Sequence, residues 1–128
     1  NKNKQQEVVI MSELKTIDAF GMFGGSSREE GLLPKDIQEE LRKFPIGSQQ
    51  RKGMDSEVIV KFYNPTGAGT WLITEAEQWD NGDWELFGYC CIFDWEWGSV
   101  MLSELERMKV IQRDRGVRSH SKVRDLVR

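Results

Sequence analysis

The stretch Trp71-Leu72-Ile73-Thr74-Glu75-Ala76-Glu77-Gln78-Trp79-Asp80-Asn81-Gly82-Asp83-Trp84-Glu85-Leu86-Phe87-Gly88-Tyr89-Cys90-Cys91-Ile92-Phe93 decides the fold. Two β-prone runs flank Asn81-Gly82, and Asn-Gly between such runs is the strongest short hairpin signal. A two-residue loop there sets Asp80 against Asp83, Trp79 against Trp84, Ile73 against Cys90 and Trp71 against Ile92. The facing tryptophans would stabilise the hairpin by ~0.2–1 kcal/mol, and the facing aspartates would oppose them slightly. Neither face of the hairpin is polar. One carries Trp71, Ile73, Leu86, Cys90 and Ile92; the other carries Leu72, Phe87, Tyr89, Cys91 and Phe93. Both faces must be at least partly covered, or one is a binding surface.

Moving outward, Val58 to Tyr63 reads as a preceding strand, and Asn64-Pro65-Thr66-Gly67 has type I turn chemistry. Trp95 to Met101 is a weaker fourth strand. Ser103-Glu104-Leu105-Glu106 predicts a capping box with Ser103 as the cap, opening a short helix whose basic end, Arg107 and Lys109, suits the dipole. Residues 112–120 read as an irregular basic segment, and Ser121 as the cap of a last short helix through Leu126. Upstream, Pro34 fits the first turn of a helix whose Ile37, Leu41 and Phe44 share a face, with Pro45 and Gly47 ending it. Residues 48–56 read as a mobile polar loop. The fold class expected is α+β: a curved antiparallel meander of about four strands packed against an N-terminal helix and short C-terminal helices. Residues 1–31 form an extension, with Val8, Val9, Ile10, Leu14, Ile17 and Phe20 near one helical face and a Gly/Ser break after it. Residues 32–128 form the single domain, ending in a basic tail.

The chain's 128 residues, 38% hydrophobic and 30% charged, suffice for one domain with a real core. No run approaches the ~20 apolar residues of a membrane span, and no long apolar run follows the first lysines as a signal peptide would require. Two cysteines exclude a disulfide scaffold and fit a reducing, cytoplasmic setting.

The formal charge of −3 conceals an asymmetry. Residues 1–106 carry ten basic and nineteen acidic side chains, and residues 107–128 carry eight and two. Between Lys61 and Arg107 there is no Lys or Arg, yet nine acids: Glu75, Glu77, Asp80, Asp83, Glu85, Asp94, Glu96, Glu104 and Glu106. Such blocks speak of partners and of self-docking.

No residue pattern supports catalysis, a metal site or a cofactor. His120 is the single histidine and lacks a Gly-x-Ser-x-Gly partner; it reads as a surface or packing residue, with a small hydrolase using it and carboxylates as the remote alternative. Cys90 and Cys91 point to opposite faces of a strand and read as two packed thiols. Gly67-Ala68-Gly69-Thr70 lacks the Gly-Lys-Ser/Thr ending of a phosphate loop. Glu75, Glu77, Glu85, Asp94 and Glu96 have no ligand spacing and read as a solvated strand edge. Trp79, Trp84, Trp95 and Trp97, set among Asp80, Asp83, Glu85, Asp94 and Glu96, suggest an interface in which tryptophans anchor and carboxylates meet a basic partner. The alternative to that interface is a core use of the tryptophans. The tail residues Arg113, Arg115, Arg118, Lys122, Arg124 and Arg128 suggest either phosphate binding or docking on the chain's own acids.

Leu32-Leu33-Pro34-Lys35, Val60-Lys61-Phe62-Tyr63-Asn64-Pro65, Thr70-Trp71-Leu72-Ile73-Thr74-Glu75, Leu86-Phe87-Gly88-Tyr89-Cys90, Trp97-Gly98-Ser99-Val100, Leu102-Ser103-Glu104-Leu105 and Gln112-Arg113-Asp114 follow one another in an order that resembles the family catalogued as domain of unknown function 2958. The resemblance covers about residues 32–127. Its members are small bacterial proteins of plasmids, phages and integrative elements, found near antirestriction and conjugation genes. The resemblance transfers no catalytic residue, and family members often have shorter turns where this chain has Trp79 to Trp84. It implies a non-enzymatic accessory protein of a mobile element that acts by protein binding. A host defence nuclease, a restriction or CRISPR effector, is the expected kind of target. The residues expected to bind are Trp79, Asp80, Asp83, Trp84, Glu85, Trp95 and Glu96. The alternative is a nucleic-acid-binding module using Arg113, Arg115, Arg118, Lys122 and Arg124. The protein is expected to be a monomer, or a homodimer through an uncovered sheet face.

Overall fold

The computed structural model describes residues 31–117 and 121–127. The expectations for the extension up to residue 30, and those for Arg118, His120 and Arg128, lie outside the described residues.

Helix α1, Lys35–Arg42, opens after Pro34, which is extended (φ −62°, ψ 162°) and caps the helix rather than entering it. The anticipated face forms. Leu41 is fully buried, and Ile37 and Phe44 pack on the same cluster. The predicted loop after Gly47 contains a 3-10 segment, Gln50–Asp55. Gln49 organises it. This buried amide donates to the Glu57 and Thr74 carbonyls at 2.9 and 2.8 Å and accepts from the Glu57 N–H at 2.8 Å. A polar side chain is tolerated inside only when its groups are paired in this way.

The strands are β1 (Glu57–Val58), β2 (Val60–Tyr63), β3 (Thr70–Gln78), β4 (Trp84–Cys91), β5 (Trp95–Met101), β6 (Gln112–Arg113) and β7 (Ser121–Lys122). Helix α2 is Leu102–Arg107 and α3 is Val123–Leu126. The main sheet is antiparallel in the order β5-β4-β3-β2-β6, and β1 pairs with β7 in a small second ladder. The α+β class and the four-strand meander stand as expected. The stretch read as irregular supplies a fifth strand, β6.

The central hairpin corrects the two-residue reading of Asn81-Gly82. The Trp79 N–H donates to the Asp83 carbonyl at 2.8 Å, and the Gly82 N–H to the Trp79 carbonyl at 2.9 Å. Three residues therefore form the loop, and Gly82 (φ 90°) takes the left-handed position that closes a three-residue hairpin. The Asn81 side-chain oxygen accepts from the Asp83 N–H at 2.9 Å, a bond to the backbone two residues on. The register becomes Gln78 opposite Trp84 and Ala76 opposite Leu86. The expected Trp79–Trp84 and Asp80–Asp83 pairs do not form. A bulge between Ile73 and Glu75 shifts it again, to Ile73 opposite Gly88 and Trp71 opposite Cys90. By inserting one residue, the bulge lets Trp71, Ile73 and Ala76 enter one core cluster despite their uneven spacing.

That cluster, with Leu32, Leu33, Leu41, Val60, Phe62, Trp84, Leu86, Leu105 and Ile111, fills one side of the sheet. A smaller cluster of Val58, Leu72 and Val123, joined by Met54, Tyr89, Trp95, Val117 and Leu126, covers part of the other. Both faces thus bury apolar side chains, as the absence of a polar face required.

Helix α2 begins one residue before the predicted capping position. The Met101 N–H donates to Glu104 Oε1 at 2.9 Å, and Ser103 lies inside the first turn. Ser103 instead donates through its hydroxyl to Asp83 Oδ2 at 2.7 Å and through its N–H to Asp83 Oδ1 at 3.1 Å. The N–H groups of a first helical turn have no intrahelical partner and donate readily to such a carboxylate, even one from a distant segment. Ser121 likewise does not cap α3; it lies in β7, and α3 follows Lys122 without a side-chain cap.

Candidate protein-binding surface

Strands β3, β4 and β5 are neighbours, and all three fall in the stretch without a single Lys or Arg. The charged side chains of these strands are consequently all acidic, while Arg42 of α1 donates to Gln78 Oε1 at 3.3 Å. The register decides which side chains gather there.

Tyr89 lies directly opposite Trp97, and Cys91 opposite Trp95. This places Phe87, Tyr89, Trp95 and Trp97 on one face, because alternate strand residues share a side. Tyr89 and Trp95 stack at 5.2 Å between centroids, Phe87 and Trp97 at 5.8 Å, and Tyr89 meets Trp97 at 4.9 Å with tilted rings. The row is held in place by these contacts, each worth about 0.5–1.5 kcal/mol beyond burial. Its outer member, Trp97, is still 39% exposed. Toward the hairpin tip stands Trp79, 48% exposed, whose indole N–H donates to Glu85 Oε1 at 3.2 Å. Glu77, Gln78, Trp79, Asp80 and Asn81 line a shallow open hollow there.

The residues expected to bind therefore separate. Trp79, Asp80 and Glu85 meet at the tip. Trp95 is partly buried at the other end of the aromatic row, packed with the second cluster. Glu96 is exposed on the opposite face of β5, beside Cys90, its cross-strand neighbour. Trp84 is a core residue, 2% exposed, with the Arg42 guanidinium over its ring at 5.4 Å. Asp83 ties the hairpin to α2 through Ser103 and also accepts from the Trp84 N–H at 2.8 Å. Both act in the framework rather than as exposed anchors. Trp97 is among the tryptophans of the suggested interface but not among the residues expected to bind, and Phe87 is in neither set. The i, i+2 spacing in both strands carried the signal, but only the register sets them side by side.

Glu75 and Cys90 belong to the framework. Glu75, 2% exposed, accepts from the Gly47 N–H at 2.6 Å and the Gln49 N–H at 3.0 Å. Among the described residues no group of three or more His, Cys, Asp or Glu side chains is placed to hold a metal ion. Burial, with the Glu96 carboxylate adding to it, pushes the Cys90 thiol up to about 12. A thiol so high stays protonated, and the thiolate is the nucleophile. Cys90 should therefore resist iodoacetamide at pH 8 in the native protein and react on unfolding in urea. Rapid native labelling at Cys90, read by peptide mass spectrometry, would contradict this placement.

The basic tail is built into the fold. Arg113 lies in β6 against Phe62, and the next residue, Asp114, donates its N–H to the Lys61 carbonyl at 2.9 Å and pairs with the Lys61 amine at 3.4 Å. Lys122 lies in β7 opposite Glu57. Arg124 Nε pairs with Asp55 Oδ1 at 2.7 Å, and this bond holds the Asp55 carboxyl below its usual value. Arg115 is exposed. Docking of the tail on one of the chain's own carboxylates does occur, at Asp55, which takes Arg124.

The segments quoted from the sequence now have places in one domain. Leu32 and Leu33 share the main core cluster with Leu41 of α1, Thr70–Glu75 opens the bulged strand β3, and Gln112–Arg113 forms the edge strand β6 beside β2. The family model described as Protein of unknown function (DUF2958) matches residues 32–124. The chain belongs to that family. The DUF2958 match begins at the first buried leucine and ends within α3, so it takes in all seven strands of the described residues. No curated protein and no solved structure matches the chain. No helix among the described residues is long and apolar enough to cross a membrane.

Proposed function

We propose that this chain acts by binding another protein, without catalysing a reaction, and that the acidic, aromatic half of its sheet is the surface it uses. The observation that carries this reading is the coincidence of exposed aromatic area with one sign of charge. Trp79 and Trp97 stand open on a three-strand ribbon that has acids and no cations. Exposed tryptophans supply the anchoring area of interfaces, and carboxylates around them select a basic partner and speed encounter. A protein surface evolved to hold nucleic-acid phosphates has that complementary charge. The family resemblance to accessory proteins of bacterial mobile elements makes a host defence nuclease, working in the cytoplasm, the partner class that fits.

The test is capture of binding proteins from host lysate by the tagged chain, with and without nuclease treatment. The reading predicts one specific protein retained after nucleic acid is destroyed. Loss of all capture on nuclease treatment would overturn it and turn attention to Arg115, Lys122 and Arg124, exposed basic residues of the described tail.

A further inference from the structure

The terminal strand of the main sheet is β5, and among the described residues no strand pairs with its outer edge. Seven residues, Trp95-Glu96-Trp97-Gly98-Ser99-Val100-Met101, run along that edge in unbroken register with β4. Proteins blunt a free edge with lysine, proline, a bulge or extreme shortness, because its unpaired N–H and C=O groups recruit another strand. β5 has no lysine, proline or bulge, and its one charged residue is Glu96. On one face Trp95 and Trp97 continue the aromatic row, and on the other stands the exposed Glu96, with exposed Asp94 just before the strand.

We infer that β5 captures an extended, arginine- or lysine-rich segment of the partner protein as a sixth strand. This rests on the protein-binding reading above and names the partner's chemistry. Backbone pairing would give affinity, and alternate side chains of the added strand would give selectivity. Cations on one side of the added strand would lie over Trp95 and Trp97, where ring faces attract them. Cations on the other side would meet Glu96. Charge decides between this occupant and a second copy of the chain. A second copy would lay another cation-free, acidic ribbon alongside the first, and like charges would oppose the pairing.

The probe is a synthetic eight-residue peptide in which Arg-Arg alternates with Thr-Val, so that both sides of the added strand carry arginine, compared with the same peptide carrying glutamate for arginine. Binding to the full chain is followed by amide NMR, hydrogen exchange and tryptophan fluorescence. The expected result is saturable binding of the arginine peptide, with slowed exchange confined to alternate amides of residues 95–101, and at least tenfold weaker binding of the glutamate peptide. Glu96→Lys, which reverses the charge and places a lysine on the edge, should weaken binding at least tenfold while leaving circular dichroism unchanged. Trp97→Ala should also weaken it. Shifts scattered over the acids without protection of β5 would overturn the proposal, as would equal binding of both peptides or no binding. Protection of β5 in the free chain that grows with its own concentration would also overturn it, assigning the edge to a second copy. Lysate capture that survives nuclease treatment while the peptide leaves β5 untouched would sink this inference alone. Loss of both would sink the protein-binding reading as well.

Discussion

Replacing Gly88 by alanine should remove a large part of the stability of the domain. A Cβ at Gly88 would lie 1.8 Å from the Leu72 carbonyl oxygen and 2.8 Å from both the Ile73 Cα and the Leu72 carbonyl carbon. All three are backbone atoms of β3, in the middle of the sheet, so no side chain can rotate away to make room. Overpacking costs ~1–3 kcal/mol even where neighbours adjust. Here β3 and β4 must separate next to the bulge, and a loss above about 4 kcal/mol is expected, in the exceptional range for single changes. A domain of this size has ~5–15 kcal/mol in total. Gly98, directly opposite Gly88 on β5, is the matched control. Nothing lies within 4 Å of its added Cβ. Gly98→Ala should therefore shift urea unfolding by less than about 1 kcal/mol. Equal unfolding midpoints for the two variants would show that β3 and β4 do not approach as described.

The second large effect is expected at Glu75. Its buried carboxylate accepts two backbone N–H groups, from Gly47 and Gln49, and Gln49 in turn holds Glu57 and Thr74. Hydrogen bonds to a charged group contribute ~1.5–3 kcal/mol each, and a buried donor left without its partner carries a desolvation penalty. Glu75→Ala should therefore destabilise by about 3–5 kcal/mol. Glu75→Gln keeps one acceptor oxygen but turns an amide toward the second donor, so it should recover only part of the loss. Urea unfolding measures the sum. Hydrogen exchange at Gly47 and Gln49 shows whether the loss is at this contact. A stable Glu75→Ala protein with both amides still protected would contradict it.

These two sites also mark where the sequence stops being informative. The strands around Asn81-Gly82, the α1 face of Ile37, Leu41 and Phe44, and the double-sided hairpin were legible because periodicity and turn chemistry are local. The register was not. Asn-Gly permits a two-residue loop or a longer one, and the bond from Asn81 to the Asp83 N–H favours the latter. The bulge before Glu75 depends on amides 26 and 28 residues away, which no local pattern reveals. The same distance effect misplaced the cap of α2, because Asp83 reaches Ser103 across 20 residues. At the candidate surface, composition located the acids and tryptophans but could not sort them. Trp79 and Trp84 sit five residues apart in similar company, yet one is open and the other is core. Tertiary packing decides that difference, and it brings Trp97 and Phe87 into a row that was not foreseen.

The central claim is that the acids of the β3–β4 tip select the partner. Glu77 and Asp80 are exposed there. The most direct measurement is the affinity of the captured partner for the wild-type chain and for Glu77→Lys/Asp80→Lys, at low and physiological salt, with circular dichroism and unfolding as controls. The account predicts an intact fold, at least tenfold weaker binding, and a smaller salt dependence in the variant, since exposed charge pairs are screened. Unchanged affinity with an intact fold would contradict the claim and remove the tip from the binding surface.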